Sequence, residues 1–81
     1  MSPDKALAEL QKIVWDGLTV QEARQEAIVF MGSWDWQEKV PEYAIKVQHM
    51  DSVRGIATFM WNATMKGLEI KQKKTLAEIE D

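Results

Sequence analysis

Apolar residues recur at helical spacing along most of the chain. Ser2-Pro3-Asp4 opens the first such stretch, with a serine suited to cap free backbone N–H groups and a proline where its missing N–H is harmless. Ala6, Leu7, Leu10, Ile13 and Val14 then follow at helical spacing up to Trp15, and Gly17 supplies a stop signal. This pattern predicts a helix over about 3–16. Thr19-Val20-Gln21-Glu22 has the form of a capping box, in which the threonine oxygen and the glutamate carboxylate each accept from a free backbone N–H. Val20, Ala23, Ala27, Phe30 and Met31, widened by Ile28 and Val29, form the next stripe, which predicts a helix over about 20–31 before Gly32.

The pattern fails between Gly32 and Pro41, where Trp34-Asp35-Trp36 places two indoles around a carboxylate. Val40 precedes a proline and is pushed toward extended geometry, so this segment reads as a turn or one short helix. From Pro41, the residues Tyr43, Val47 and Met50 stand at i, i+4 and i+7, predicting a helix over about 41–50. Tyr43, Ile45, Val47 and His49 also alternate as in a strand, but a lone strand would lack a partner. Beyond Asp51, the residues Val53, Ile56, Met60, Ala63, Gly67 and Ile70 step by three and four, close to a heptad seam, over about 52–75. Asp51 could cap this helix, or it could fuse with the preceding one into a single rod. Gly55 lowers helix stability by about 1 kcal/mol relative to alanine, so a bend is predicted between Asp51 and Gly55.

The fold class that follows is all-α: a single domain over residues 1–81, built as a small bundle of three to four helices with a long C-terminal one. No Pro/Gly/Ser-rich linker divides it. A 9.3 kDa monomer gains on the order of 120 kcal/mol from burial, against roughly 120 kcal/mol of ordering entropy. That near-balance makes self-association the expected source of additional burial. The expected interface between copies is the seam Val53, Ile56, Met60, Ala63, Gly67 and Ile70.

Charge and composition narrow the function. The net charge of −3 leaves no excess of cations to displace phosphate counterions, so nucleic acid is not an expected partner. No run approaches the ~18 apolar residues of a membrane span and the first residues lack a signal-peptide core, so a cytoplasmic protein is expected. Absence of cysteine removes thiolate nucleophiles and thiolate zinc sites. His49 is the only histidine, and the carboxylate pairs Glu22/Glu26 and Glu38/Glu42 have no histidine three or four residues on, so no metal site is expected. The four glycines are dispersed and make no phosphate loop, and no cofactor is expected.

Four tryptophans in 81 residues remain as the main signal, because indoles are enriched at the centres of protein interfaces. Trp34, Asp35 and Trp36 are the expected recognition element, together with Met60, Trp61 and Met65, whose flexible thioethers adapt to a bound surface. The sequence is therefore read as a non-enzymatic protein-binding module acting as a homo-oligomer. Small acidic helical chains of this kind are frequent among virus-encoded inhibitors and bacterial regulators, a class argument that names no target. The alternative reading is an oligomer that sequesters a small ligand in an indole-lined pocket between its subunits.

Overall fold

A computed structural model describes the backbone of residues 1–80 and the side chains of residues 1–73. Four helices are present among the described residues, with no strand: α1 (Pro3–Leu10), α2 (Val20–Gly32), α3 (Val40–Gln48) and α4 (Val53–Glu80). α4 is the spine. α1 and α2 pack against it, and α3 packs against α2. The core combines Ala6 and Leu10 from α1, Ala23, Ala27, Phe30 and Met31 from α2, Val47 from α3, and Ile56, Met60 and Ala63 from α4. Four of these are alanines, which bring helix backbones close together around the larger Met31, Ile56 and Met60 side chains.

The helix starts follow local chemistry. Ser2 Oγ accepts from the Lys5 N–H at 3.4 Å. At α2 the capping box is complete, with the Glu22 N–H donating to Thr19 Oγ1 at 3.1 Å and the Thr19 N–H donating to Glu22 Oε1 at 3.0 Å. The Thr19 backbone N–H, and after it the Thr19 side chain, holds the Glu22 carboxyl below the ordinary glutamate range. A carboxyl lowered on folding contributes stability that is full above its unfolded pKa and is lost as pH falls through the folded one. Glu22→Gln should therefore melt below the parent at neutral pH, with the difference vanishing in acid. Melting curves recorded across the carboxylate range test this, and a difference that stays constant with pH would contradict it.

α1 ends at Leu10, well before the predicted stop. The chain unwinds through two i→i+3 bonds, from the Lys12 N–H to the Glu9 carbonyl (3.0 Å) and from the Ile13 N–H to the Leu10 carbonyl (3.2 Å). β-Branched Ile13 and Val14 weaken continuation of the helix, and Ala6 and Leu10 already supply its buried face. Val14 is left 74% exposed. Gly17, at φ +89°, serves a different turn, which is closed by the Leu18 N–H on the Trp15 carbonyl (3.1 Å). Only glycine holds that left-handed geometry without strain. The turn returns Trp15 and Leu18 to the edge of the core.

α3 begins at Val40 itself, one residue earlier than predicted and in spite of the following proline, with no side-chain cap from Lys39. α3 and α4 do not fuse. The chain leaves helical geometry between them, so the predicted bend is a complete break placed before Gly55. Ser52, not Asp51, caps α4, its Oγ accepting from the Gly55 N–H at 3.2 Å. Asp51 instead accepts from Arg24 Nη2 at 2.8 Å, while Arg24 Nε donates to the Met50 carbonyl at 3.0 Å. One side chain from α2 thus ties down the corner between α3 and α4.

The long seam of α4 is spent inside the chain. Ile56 and Met60 are fully buried, Ala63 is 7% exposed, Gly67 is buried, and Val53 packs at the core's edge. The expected interface between copies along this seam is corrected accordingly: α1 and α2 already cover most of it, leaving Val53 partly exposed and Ile70 40% exposed. The same burial takes Met60 out of reach of any partner. Among the described residues, Thr64 is the one buried polar side chain on this face, and its hydroxyl donates to the Met60 carbonyl at 2.7 Å.

Candidate functional site

The tryptophans separate into two pairs. After α2 the chain turns through the Trp34 N–H on the Met31 carbonyl at 3.0 Å. Trp34, 7% exposed, meets Phe30 edge-on, with ring centroids 5.3 Å apart. Trp36 stacks on Trp34 at 4.5 Å with 25° between the planes. Side chains two residues apart meet this way because the segment is not helical. The six-membered edge of Trp36 then lies on α4 at Gly67, where an added Cβ would sit 2.3 Å from Cζ3. Glycine at 67 is the slot that receives the indole.

Of Trp34, Asp35 and Trp36, only Asp35 is exposed, with Trp34 buried and Trp36 half-buried. The Asp35 carboxylate accepts from the Met1 amino group at 3.0 Å, and that group also donates to the Ser33 carbonyl at 2.9 Å. Trp34 and Trp36 are packing residues. Their Nε1 atoms are both buried without a hydrogen-bond partner, an arrangement that costs about 1–3 kcal/mol for each unsatisfied donor.

Trp15 and Trp61 make the second pair, at the surface. The connection after α1 lies along α4 and leaves two adjoining hollows. One, of about 340 Å³, is lined by Leu10, Gln11, Ile13, Trp15, Ala57, Thr58 and Trp61. The other, of about 560 Å³, is lined by residues 15–18 with Val53, Arg54 and Ala57. Trp15 and Ala57 border both, so the hollows adjoin as one trench along α4. Trp61 is 44% exposed, and Met65, one turn further along α4, is 41% exposed. Trp61 and Met65 therefore lie where a partner can reach them. Trp15 was missed by the sequence reading, which placed it at the end of a helix. The available signal was Gly17 two residues later, together with two β-branched residues just before it.

The groups with chemical potential stay apart. His49 is exposed at the end of α3, and the carboxylates of Glu22, Glu26, Glu38 and Glu42 are all on the surface. Among the described residues, no three His, Asp or Glu side chains come close enough together to hold a metal ion. No helix among them is long and apolar enough to cross a membrane. No protein-family model, curated protein or solved structure matches the chain.

Proposed function

We propose that the chain is a non-enzymatic protein-binding module, and that its trench receives an amphipathic helix from a partner protein. The observation that carries this reading is Trp61, 44% exposed in the wall of a trench lined mostly by apolar residues, in a chain that packs two other tryptophans inside. The trench runs along α4, and its hollows lie one turn apart on that helix, against Val53 and Ala57 in one and Ala57 and Trp61 in the other. Four helical residues span roughly 6 Å, the spacing at which a partner helix presents side chains i and i+4. Polar Gln11, Asp16, Arg54 and Thr58 form the rim, as in protein interfaces generally. Occupancy of the trench gives the protein the means to act as a small inhibitor or regulator.

The test is a photo-crosslinking amino acid placed at Trp61, with the same group at exposed Ile45 on α3 as control, followed by mapping of the joined peptide. A crosslinked segment with apolar residues at i and i+4, joined from position 61 and not from 45, is expected. A synthetic peptide of that segment should bind Trp61→Ala about 30-fold more weakly, the loss of a true interface anchor worth ~2 kcal/mol. The fold should change by less than about 0.5 kcal/mol, as for other surface substitutions. Equal capture from both positions, or unchanged affinity of Trp61→Ala, would refute the proposal.

A further inference from the structure

The two hollows of the trench differ in charge. No charged residue lines the smaller one. The larger, of about 560 Å³, has Trp15, Leu18, Val53 and Ala57 as apolar walls and one carboxylate and one guanidinium, Asp16 and Arg54, beside them. The turn at Gly17 leaves Asp16 exposed at its tip, and Arg54 is exposed on the first turn of α4. Although they line the same hollow, Asp16 and Arg54 make no hydrogen bond or ion pair with each other or with any other described residue.

A side chain that displaces water from this hollow has to answer both charges, because a desolvated charge without a partner is costly. Phenylalanine would cover the apolar walls and strand both groups. Lysine would pair with the carboxylate against repulsion from the guanidinium, and glutamate would do the reverse. Tryptophan offers an N–H to the carboxylate but no acceptor to the guanidinium. Serine, threonine and the side-chain amides both donate and accept, yet they bring little apolar surface. A phenol meets every demand: its O–H donates to a carboxylate, its oxygen accepts from a guanidinium, and its ring buries a large apolar area.

We infer that the larger hollow is a tyrosine site, and that the partner helix carries tyrosine at the anchor position that enters it. This rests on the reading of the trench as the seat of a partner helix and names the chemistry by which that helix is selected. Hydrogen bonds from the phenol to one carboxylate and one guanidinium are charge-assisted, stronger than neutral ones and directional. The uncharged smaller hollow takes the second anchor, an aliphatic side chain four residues away along the partner. Asp16 and Arg54 thus set specificity, while the apolar walls supply contact area that many helices could use.

Two small probes test the hollow without the partner: p-cresol, which is the tyrosine side chain as a free molecule, and toluene, which is that of phenylalanine. Titrated into the isotope-labelled chain and followed by NMR, p-cresol should shift the Trp15 indole N–H and the Val53 and Ala57 resonances. It should bind about tenfold more tightly than toluene. Asp16→Ala and Arg54→Ala should each weaken p-cresol about tenfold and leave toluene unchanged, with the fold intact because both side chains are exposed. In a peptide mapped by crosslinking at Trp61, exchange of the anchoring tyrosine for phenylalanine should weaken binding about tenfold to the parent and by less to Arg54→Ala. Equal affinity for the two probes, shifts that avoid Trp15, Val53 and Ala57, or p-cresol binding indifferent to both substitutions would each overturn the tyrosine site. Crosslinking at Trp61 reads the docking of a helix whatever its anchors, so failure of the helix and failure of the tyrosine site appear in separate experiments.

Discussion

Trp34→Ala is expected to destabilise the protein by about 3 to 5 kcal/mol, the range for emptying a buried tryptophan site. Its ring fills the space between Phe30 and Trp36, and Trp36 would lose the surface on which it stacks. In a domain of this size, such a loss lowers the melting temperature by at least about 12 °C. Trp34→Phe should be milder, because it keeps an aromatic surface against Phe30 and removes a buried N–H that has no acceptor. Thermal denaturation of both variants measures the difference. If Trp34→Ala melts within about 4 °C of the parent, equivalent to 1 kcal/mol or less, the indole is not a packing element.

Gly67→Ala should also be costly, although alanine is the better helix former by about 1 kcal/mol. The added methyl would stand 2.3 Å from Trp36 Cζ3 and 2.6 Å from Cη2. Trp36 cannot yield easily, since Trp34 stacks on it at 4.5 Å. Overpacking of this kind typically costs 1–3 kcal/mol and occasionally more, so a net loss of roughly 2 kcal/mol is expected. The compensating variant Gly67→Ala with Trp36→Leu should be more stable than Gly67→Ala alone. Equal stability of the two, read by denaturant midpoint, would show that the clash is absorbed elsewhere.

These two sites show where sequence reasoning reaches and where it stops. The starts of α1 and α2 were legible because their causes are local: Ser2 and Thr19 cap the helices that begin immediately after them. The end of α1 was not, because Ile13 and Val14 keep the apolar period while the chain leaves the helix. What decides that point is how far α1's buried face must extend along α4, a tertiary quantity. The seam on α4 was visible, but not what covers it, since α1 lies some fifty residues earlier in the chain. Trp36 looked like a recognition residue for the same reason: the slot that receives it is Gly67, thirty-one residues away, and Trp34 is packed between it and Phe30. Trp61, Met65 and Asp35 were placed at the surface as their local pattern suggests. Trp15 was hidden by a misplaced helix end.

The distance between α1 and its partner has a further consequence. Asp4 and Lys71, the ion pair that marks their contact, are 67 residues apart in the chain. At a synthesis rate of about 5–20 residues per second, roughly 3–13 s separate the appearance of one from that of the other. α2 and α3 are neighbours in the chain and meet within that interval, while Ala6 and Leu10 wait uncovered. On the ribosome, α1 is made before the other three helices described and is among the last of them to find its place.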